Sequence, residues 1–389
     1  MSLETPRRGF TDDEFTSRTH KAQRLMAEQG LSGVLLMTEP EVRYFSGFLT
    51  PFWLSPTRSW FLFVPADGKP IAVIPTIGAV LMQKTWVDDI RTWNSPATGN
   101  DGVDLLIDLL SPLASKRARV GVPMGPETAL RMPVGDWERL KATLQGIEIV
   151  DATGLIRALR MVKSSAEIAK LAHVCAIGSA TFACVPDFAQ VGRPLEQVFR
   201  SFRHAALEFG ADDVPFLAGS AGPGGYEDII SPPSRASLRI GDILMLDSGV
   251  TWDGYFCDFD RNFAIGRRND LPRRAHDTLW RATEAGIEAV RPGRTCRDIF
   301  YAMQRVIEGM DDGIGDVGRL GHGLGMQLTE WPSIAPFDDT LIEENMVLTL
   351  EPSLGYANGL MMVHEEVVVV RSRGAELLTD RATPELPVI

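Results

Sequence analysis

Five side chains in the last third of the chain have the types and spacing of a dinuclear metal site. They are four carboxylates and one imidazole: Asp247, Asp258, His322, Glu351 and Glu365. Two divalent ions that share a hydroxide need several oxygen donors, and at least one carboxylate must bridge the pair. This set supplies that mixture, and the chemistry it would support is hydrolysis by a metal-activated water.

The first two acids stand on a predicted β-hairpin. The segment ILMLDSGVTWDGYFCDFDRNFAIG alternates apolar residues up to Asp247, and its Asp253–Gly254 pair is typical of a tight turn. The chain then returns through Asp258, so we expect the hairpin to place Asp247 and Asp258 opposite each other. An unpaired carboxylate at the end of an apolar run would be costly, which favours a ligand role over a surface role.

The other three residues lie in contexts that also suit side chains pointing inward. His322 stands between glycines, where the backbone can approach a metal closely. Glu351 ends the apolar run VLTL, and Glu365 interrupts the apolar strand MMVHEEVVVV. An acid in such a strand needs a partner, and a metal ion is the best one available. His364 alternates to the opposite face, so we expect it behind the site or at the surface.

The length of 389 residues favours two domains, and the sequence places their boundary near Ala158–Ala166. There Ser164 or Ser165, followed by Glu167, predicts the N-cap of a new helix. We therefore expect an α/β domain over residues 1–160 and a second domain over residues 161–389. Its beginning is predicted to be helical, and its remainder rich in strands; the two predicted helices are Ser165–Phe188 and Pro194–Phe209.

Charge and composition exclude other classes of function. The net charge of −12 argues against a nucleic-acid partner. We find no apolar run close to the roughly 18 residues that span a bilayer, so no membrane partner is expected. The N-terminus lacks the apolar segment of a signal peptide, and the four cysteines show no paired spacing. These features predict reduced thiols and a cytoplasmic protein.

The spacing of the five residues, with the motifs GHGLG, LEP and E-x-x-V-V-V, resembles the pita-bread metallohydrolases, the superfamily of prolidase, aminopeptidase P, methionine aminopeptidase and creatinase. The resemblance covers the whole chain. It implies an α/β creatinase-like N-terminal domain and an α+β pita-bread catalytic domain. It also implies that Asp247 chelates one metal, that Asp258 and Glu365 bridge, and that His322 and Glu351 bind the second metal. Glu351 would also shuttle the proton.

The donor set accepts Mn, Co, Zn or Fe, so the sequence leaves the identity of the two divalent ions open. No other cofactor is expected. We further expect a homodimer that acts on a dipeptide or another small molecule.

Three positions depart from the family pattern. Thr329, in the motif TEWP, replaces a catalytic histidine, and Ile230 falls where a second histidine is usual. Threonine donates one hydrogen bond but carries no charge, and isoleucine does neither. Losing one such donor typically removes about 2.7–4 kcal/mol of transition-state stabilisation, which speaks against efficient Xaa-Pro cleavage.

The third departure is Asp260, where the family usually has threonine. It shares a face with Asp258 and is open to four interpretations: an extra ligand, an acid behind the ligands, a contact to substrate, or a salt bridge to Arg261 or to another residue.

These observations predict a metal-dependent hydrolase of a C–N bond in a small substrate, with Xaa-Pro dipeptidase-like activity the nearest description. The first alternative is a lyase or a hydrolase of a small zwitterion, such as a compatible solute or a sulfonium propionate. Its pocket would have aromatic walls, Asp260 as a polar contact and no cation for a peptide carboxylate; the candidate walls are Trp331, Phe216 and Tyr226. The second alternative, an inactive binding module, is disfavoured because all five ligands are retained.

Overall fold

The computed structural model describes residues 5–55, 58–96, 98–310, 318–357 and 359–389. The chain separates into two compact units, one formed by Arg7–Arg160 and one containing Met161–Ile389.

The N-terminal unit is an α/β layer around a mixed sheet whose strands run in the order β4-β3-β2-β1-β5-β6. The contacts of β1 with β5, of β5 with β6 and of β3 with β4 are parallel, and β2 is antiparallel to both of its neighbours. The strands are β1 (Gly33–Leu36), β2 (Phe61–Pro65), β3 (Ile71–Pro75), β4 (Asp89–Trp93), β5 (Arg119–Val122) and β6 (Glu148–Asp151). The α-helices are α1 (Asp12–Gln29), α2 (Glu39–Ser46), α3 (Ala79–Met82), α4 (Val103–Ala114), α5 (Val134–Thr143) and α6 (Thr153–Met161).

Helix α1 shows why the sequence forms this layer. The Thr11 side chain accepts a hydrogen bond from the Glu14 N–H and caps the first turn. Gly30 ends the helix in the left-handed conformation, at φ 64°. The chain then enters the fully buried strand β1.

The C-terminal unit begins with helices and continues with strands. Its helices are α7 (Ser165–Ala183), α8 (Val185–Phe188), α9 (Leu195–Glu208), α10 (Asp270–Ala289) and α11 (Cys296–Ile307). Its strands are β7 (Asp213–Pro223), β8 (Asp242–Trp252), β9 (Tyr255–Phe256), β10 (Phe259–Ala264), β11 (His322–Gly323), β12 (Glu330–Ser333), β13 (Val347–Leu350), β14 (Ser353–Tyr356), β15 (Leu360–Val363), β16 (Glu366–Arg371) and β17 (Gly374–Leu377).

These strands form sheets with the orders β10-β8-β7, with β9 also paired to β8, and β12-β11-β13-β16-β17, together with the pair β14-β15. A core between strands and helices contains Ile243 and Met245 from β8, Leu279 from α10 and Ile299 from α11. Asp247 continues the face of β8 that Ile243 and Met245 bury, because side chains alternate along a strand. The apolar face of β8 therefore ends in a carboxylate.

Helix α7 opens the unit with the predicted cap. The Ser164 side chain accepts from the Glu167 N–H, and the Glu167 carboxylate accepts from the Ser164 N–H, which makes a complete capping box. By length and composition the segment Ser165–Phe188 could cross a membrane. The prediction that the chain has no apolar run close to 18 residues was therefore wrong. However, 61% of its most apolar window is buried inside the protein, as expected for a core helix.

Candidate metal centre

The C-terminal unit brings three of the five expected ligands into one buried cluster. The ligand atoms of Asp258, His322 and Glu365 all lie within 4.8 Å of one another. Asp258 lies in the short break between β9 and β10, His322 begins β11, and Glu365 lies between β15 and β16. Their exposed fractions are 5%, 4% and 1%, so each side chain is shielded from bulk water.

The His322 ring is oriented by the backbone carbonyl of the next residue, Gly323. Its Nδ1 lies 2.9 Å from the Gly323 carbonyl oxygen, and because a carbonyl only accepts, Nδ1 carries the proton. Nε2 therefore keeps its lone pair, and it lies 3.6 Å from Oδ2 of Asp258. Burial lowers the pKa of His322 to about 4, so the imidazole is neutral at physiological pH, as a metal ligand must be.

The glycines beside His322 let neighbouring backbone segments pack closely. Gly321 has φ +135°, and a Cβ at this position would lie 2.2 Å from the Thr349 carbonyl oxygen. A Cβ at Gly323 would lie 2.4 Å from the Trp331 carbonyl oxygen. The glycines therefore let neighbouring backbone segments close around His322, which holds the imidazole in place.

Asp247 and Glu351 lie outside the tightest group but act on it electrostatically. Burial raises the pKa of Asp247 to about 8, and the nearby Glu351 carboxylate adds to the increase. Burial also raises the pKa of Glu351 to about 7. Both acids in turn help to raise the pKa values of Asp258 and Glu365. Asp247 and Glu351 thus belong to the electrostatic environment of the cluster, in which they disfavour ionisation of Asp258 and Glu365.

The site fits divalent metal ions. Among the residues that the structure describes, Oδ1 of Asp247 and Oε1 of Glu365 are buried without a hydrogen-bond partner. Carboxylates buried in this way are unfavourable unless a positive charge neutralises them. Oxygen donors with one imidazole nitrogen are the ligand types that Mn, Co, Zn and Fe accept. The assignment of all five residues as ligands stays a prediction that this arrangement supports.

The hairpin prediction was wrong in its register. Asp260, not Asp258, is the partner of Asp247 in the ladder between β10 and β8. The reason is the two-residue turn at Asp253–Gly254, which pairs Trp252 with Tyr255 and sets the register of the whole hairpin. Asp258 shares the face of Asp260, because the two lie two positions apart along the chain, and it is the diagonal neighbour of Asp247.

Of the four interpretations of Asp260, the salt bridge to Arg261 is wrong. The Arg261 guanidinium lies 3.0 Å from the Glu366 carboxylate and donates to the backbone carbonyl of Asp260, not to its side chain.

The remaining predicted positions are dispersed. Thr329 is half-buried in the turn before β12, whereas Ile230 is 79% exposed at the surface. His364 is buried, with Nδ1 3.1 Å from the Thr283 hydroxyl, so it lies behind the site and not at the surface. Tyr226 is 2% exposed and its hydroxyl is hydrogen-bonded to Asn262, so the prediction that it forms an open pocket wall was wrong.

One charged residue was missed by the sequence reasoning. The positive charge of Arg319 lowers the pKa values of Asp258, Glu351 and His322, so a cation does lie near the acids. The expectation that a peptide carboxylate would find no cation in the substrate pocket stays a prediction. The signal was present in GRLGHG, where Arg319 precedes His322 by three residues.

The comparisons with known proteins agree with this geometry. Residues 169–372 match the model of metallopeptidase family M24, and residues 18–162 match the creatinase/prolidase N-terminal domain. The chain belongs to metallopeptidase family M24. It is accordingly a metal-dependent hydrolase, and the predicted creatinase-like domain and pita-bread catalytic domain are confirmed.

Relatives in family M24 match along nearly their whole length. The probable dipeptidase PepE of Mycobacterium tuberculosis is 28% identical over 382 residues, which cover 95% of each chain. The Xaa-Pro dipeptidase of Pyrococcus horikoshii is 23% identical over 370 residues, covering 94% of this chain and 98% of that one. The crystal structure of dipeptidase PepE from Mycobacterium ulcerans has a TM-score of 0.83 at 28% identity, with coverage of 98% and 99%.

Proposed function

We propose that this protein is a dinuclear-metal dipeptidase that hydrolyses the amide bond of small peptides. One observation carries the proposal: a neutral imidazole and two buried carboxylates, His322, Asp258 and Glu365, have ligand atoms within 4.8 Å of one another. Asp247 and Glu351 would complete the set. Asp247 would chelate one ion, Asp258 and Glu365 would bridge, and His322 and Glu351 would hold the other.

Divalent ions in such a site lower the pKa of water toward neutrality and polarise a carbonyl. The chain's own contribution would come from Glu351. Its carboxylate acts electrostatically on Asp258 and Glu365, and a carboxylate beside the attacking water can accept a proton and release it again. We assign to its carboxylate the removal of a proton from the attacking water and the delivery of that proton to the leaving amine nitrogen.

A peptide substrate brings a carboxylate, and the positive charge of Arg319, which acts on Asp258 and Glu351, would attract it. Thr329 and the exposed Ile230 cannot supply the positive charge of the family histidines, so Xaa-Pro dipeptides would be poor substrates. The relatives' names leave both substrate classes open, because PepE of Mycobacterium tuberculosis is named a probable dipeptidase and the Pyrococcus horikoshii relative an Xaa-Pro dipeptidase.

A second candidate function is a non-peptidase reaction on the same centre, a lyase or a hydrolase of a small zwitterion. Thr329 and Ile230 favour it, since each stands where the family has a histidine that would contact a peptide. The binding-module alternative is weaker, because a scaffold gains nothing from buried carboxylates that lack partners. We retain the cytoplasm as the proposed compartment and a homodimer as the proposed assembly.

The test combines metal analysis with a substrate panel of Ala-Ala, Gly-Leu, Ala-Pro, a betaine and a sulfonium propionate. We expect two equivalents of divalent metal and turnover of the first two dipeptides near about 10 s⁻¹. Turnover of only the betaine or the sulfonium compound would overturn the dipeptidase in favour of the second candidate.

Arg319→Ala isolates the role of the cation. It should raise KM for Ala-Ala about tenfold more than KM for Ala-Ala amide, the value of one charge-assisted contact, whereas loss of the charge that lowers the pKa of Glu351 affects both substrates. Arg200→Ala is the matched control, because the Arg200 side chain is 70% exposed on α9. Equal effects of Arg319→Ala on the acid and the amide would contradict the carboxylate contact.

A further inference from the structure

Asp260 is a buried acid that lies directly across the sheet from Asp247. The two are partners in the antiparallel ladder of β10 and β8, and residues paired in this way have Cβ atoms about 4.5–5.5 Å apart on one face. Asp260 is 1% exposed. Its carboxylate therefore projects into the same closed space as the side chain of Asp247.

One oxygen of Asp260 is held by a network of hydrogen bonds. Asn262 Nδ2 donates to Asp260 Oδ2 at 2.8 Å and to the Val363 carbonyl oxygen at 2.7 Å. Asn262 Oδ1 accepts from the Tyr226 hydroxyl at 2.9 Å, and that hydroxyl accepts from the Val363 N–H. Every donor in this chain meets an acceptor, so the network sets the orientation of the Asp260 carboxylate.

The other oxygen of Asp260, Oδ1, is buried and has no hydrogen-bond partner in the described part of the chain. The adjacent Arg261 lowers the pKa of Asp260 through space, but its guanidinium forms its ion pair with Glu366 and makes no hydrogen bond with Oδ1. Asp247 Oδ1 and Glu365 Oε1 are buried and unpartnered in the same way. Asp260 thus shares the property that marks two of the proposed ligands.

We propose that Asp260 is a sixth protein ligand of the metal centre, with Oδ1 completing the coordination of the ion held by Asp247. The inference rests on the proposed dinuclear centre and adds a fifth carboxylate to it. Asn262 and Tyr226 act as positioning residues, since they orient a ligand without contacting the ion. A further hard, anionic oxygen donor suits Mn²⁺ better than a neutral threonine hydroxyl would.

The experiment titrates metal-free protein with Mn²⁺ by calorimetry and counts bound metal by mass spectrometry. Asp260→Asn keeps the shape and removes the charge, and Asp260→Thr installs the residue usual in the family. Both variants should lose about tenfold or more in affinity at one of two sites and leave the other unchanged. Asp242→Asn is the matched control: Asp242 is a buried acid of β8 whose Oδ2 accepts from the Arg239 N–H, an interaction that asparagine keeps.

Each outcome decides a different question. Wild-type protein that fails to bind two ions would overturn the proposed dinuclear centre itself. Two sites in wild type with unchanged affinity in both variants would overturn only the ligand role of Asp260. A higher KM with unchanged metal binding would also overturn it and would assign Asp260 to the substrate. Asn262→Ala should weaken the same site as Asp260→Asn but by a smaller factor, and weakening of the other site would contradict the positioning network.

Discussion

Nε2 of His322 lies 3.6 Å from Oδ2 of Asp258, too far for a hydrogen bond and close to the spacing of two atoms that coordinate one ion. Ligands at about 2.1 Å from a metal lie roughly 3–3.5 Å apart. The Nδ1 proton is directed to the Gly323 carbonyl, so Nε2 offers a lone pair. The two side chains are therefore arranged to share a cation and not a proton.

Removal of metal should destabilise the protein. Ions bound only to the folded form stabilise it by about 2.7 kcal/mol at a concentration of 100 Kd, equivalent to roughly 5–10 °C in Tm for a unit of this size. We expect chelation by EDTA to lower Tm by that amount and Mn²⁺ to restore it, measured by scanning calorimetry. An unchanged Tm after complete removal of metal would contradict a structural contribution from the centre.

The stability of the metal-free protein should fall as pH rises. The pKa of Asp247 is raised to about 8 and that of Glu351 to about 7, so the folded form binds more protons than the unfolded form. Their stabilising contribution is complete below about pH 4 and is lost as pH rises through about 8.

His322 contributes a pH dependence of stability with the opposite sign, since its pKa is lowered to about 4. Its contribution is lost only as pH falls below about 6.5. The interval above pH 6.5 therefore isolates the carboxylates. We expect Tm of the metal-free protein to decrease between pH 6.5 and 8.5, whereas the metal-loaded protein should show no such decrease. A rising Tm of the metal-free form would show that the acids are compensated in another way.

Glu351→Gln should abolish turnover without disturbing the fold. An amide retains one ligand oxygen but cannot carry the proton, and loss of a general base costs about 10²–10⁴-fold in kcat. The measurements are kcat on Ala-Ala and Tm with metal bound. Glu344→Gln, at an exposed acid before β13, is the control and should change neither. Activity within a few-fold of wild type would point to chemistry that needs no such proton shuttle.

Thr329→His should increase cleavage of Xaa-Pro dipeptides. An imidazole adds the donor whose absence is worth about 2.7–4 kcal/mol, so kcat/KM for Ala-Pro should rise by about 10². The same substitution should change kcat/KM for Ala-Ala less. Rapid hydrolysis of Ala-Pro by the wild-type enzyme, near about 10 s⁻¹, would show that the family histidines are dispensable here.

Glu330→Gln should destabilise the catalytic unit strongly. The Lys163 ammonium lies 3.1 Å from the Glu330 carboxylate, and their side chains are only 2% and 5% exposed. Removing one charge of a buried pair costs about 3–5 kcal/mol, because the other charge stays buried. Glu376→Gln breaks the exposed pair with Arg371 and should cost at most about 1 kcal/mol. Urea denaturation measures both, and equal losses would contradict the argument.

The sequence by itself determined the elements and the residue types of the centre. Capping residues such as Ser164 with Glu167 act within one helical turn, and the turn at Asp253–Gly254 acts between adjacent residues. Such local interactions are visible in a sequence because the partners are close along the chain. The apolar strand that Glu365 interrupts was predictable for the same reason, because a run of apolar residues is a local pattern in the sequence.

Only the tertiary structure decided which of these residues meet and which do not. The turn at Asp253–Gly254 sets the register of the hairpin, so that Asp260 and not Asp258 is the partner of Asp247. Tyr226 and Asn262 are 36 residues apart, and no local pattern reveals their hydrogen bond. Arg319 acts on Glu351 through space, across a fold that joins several strands. These relationships depend on long-range packing, which brings together residues that the order of the chain keeps apart.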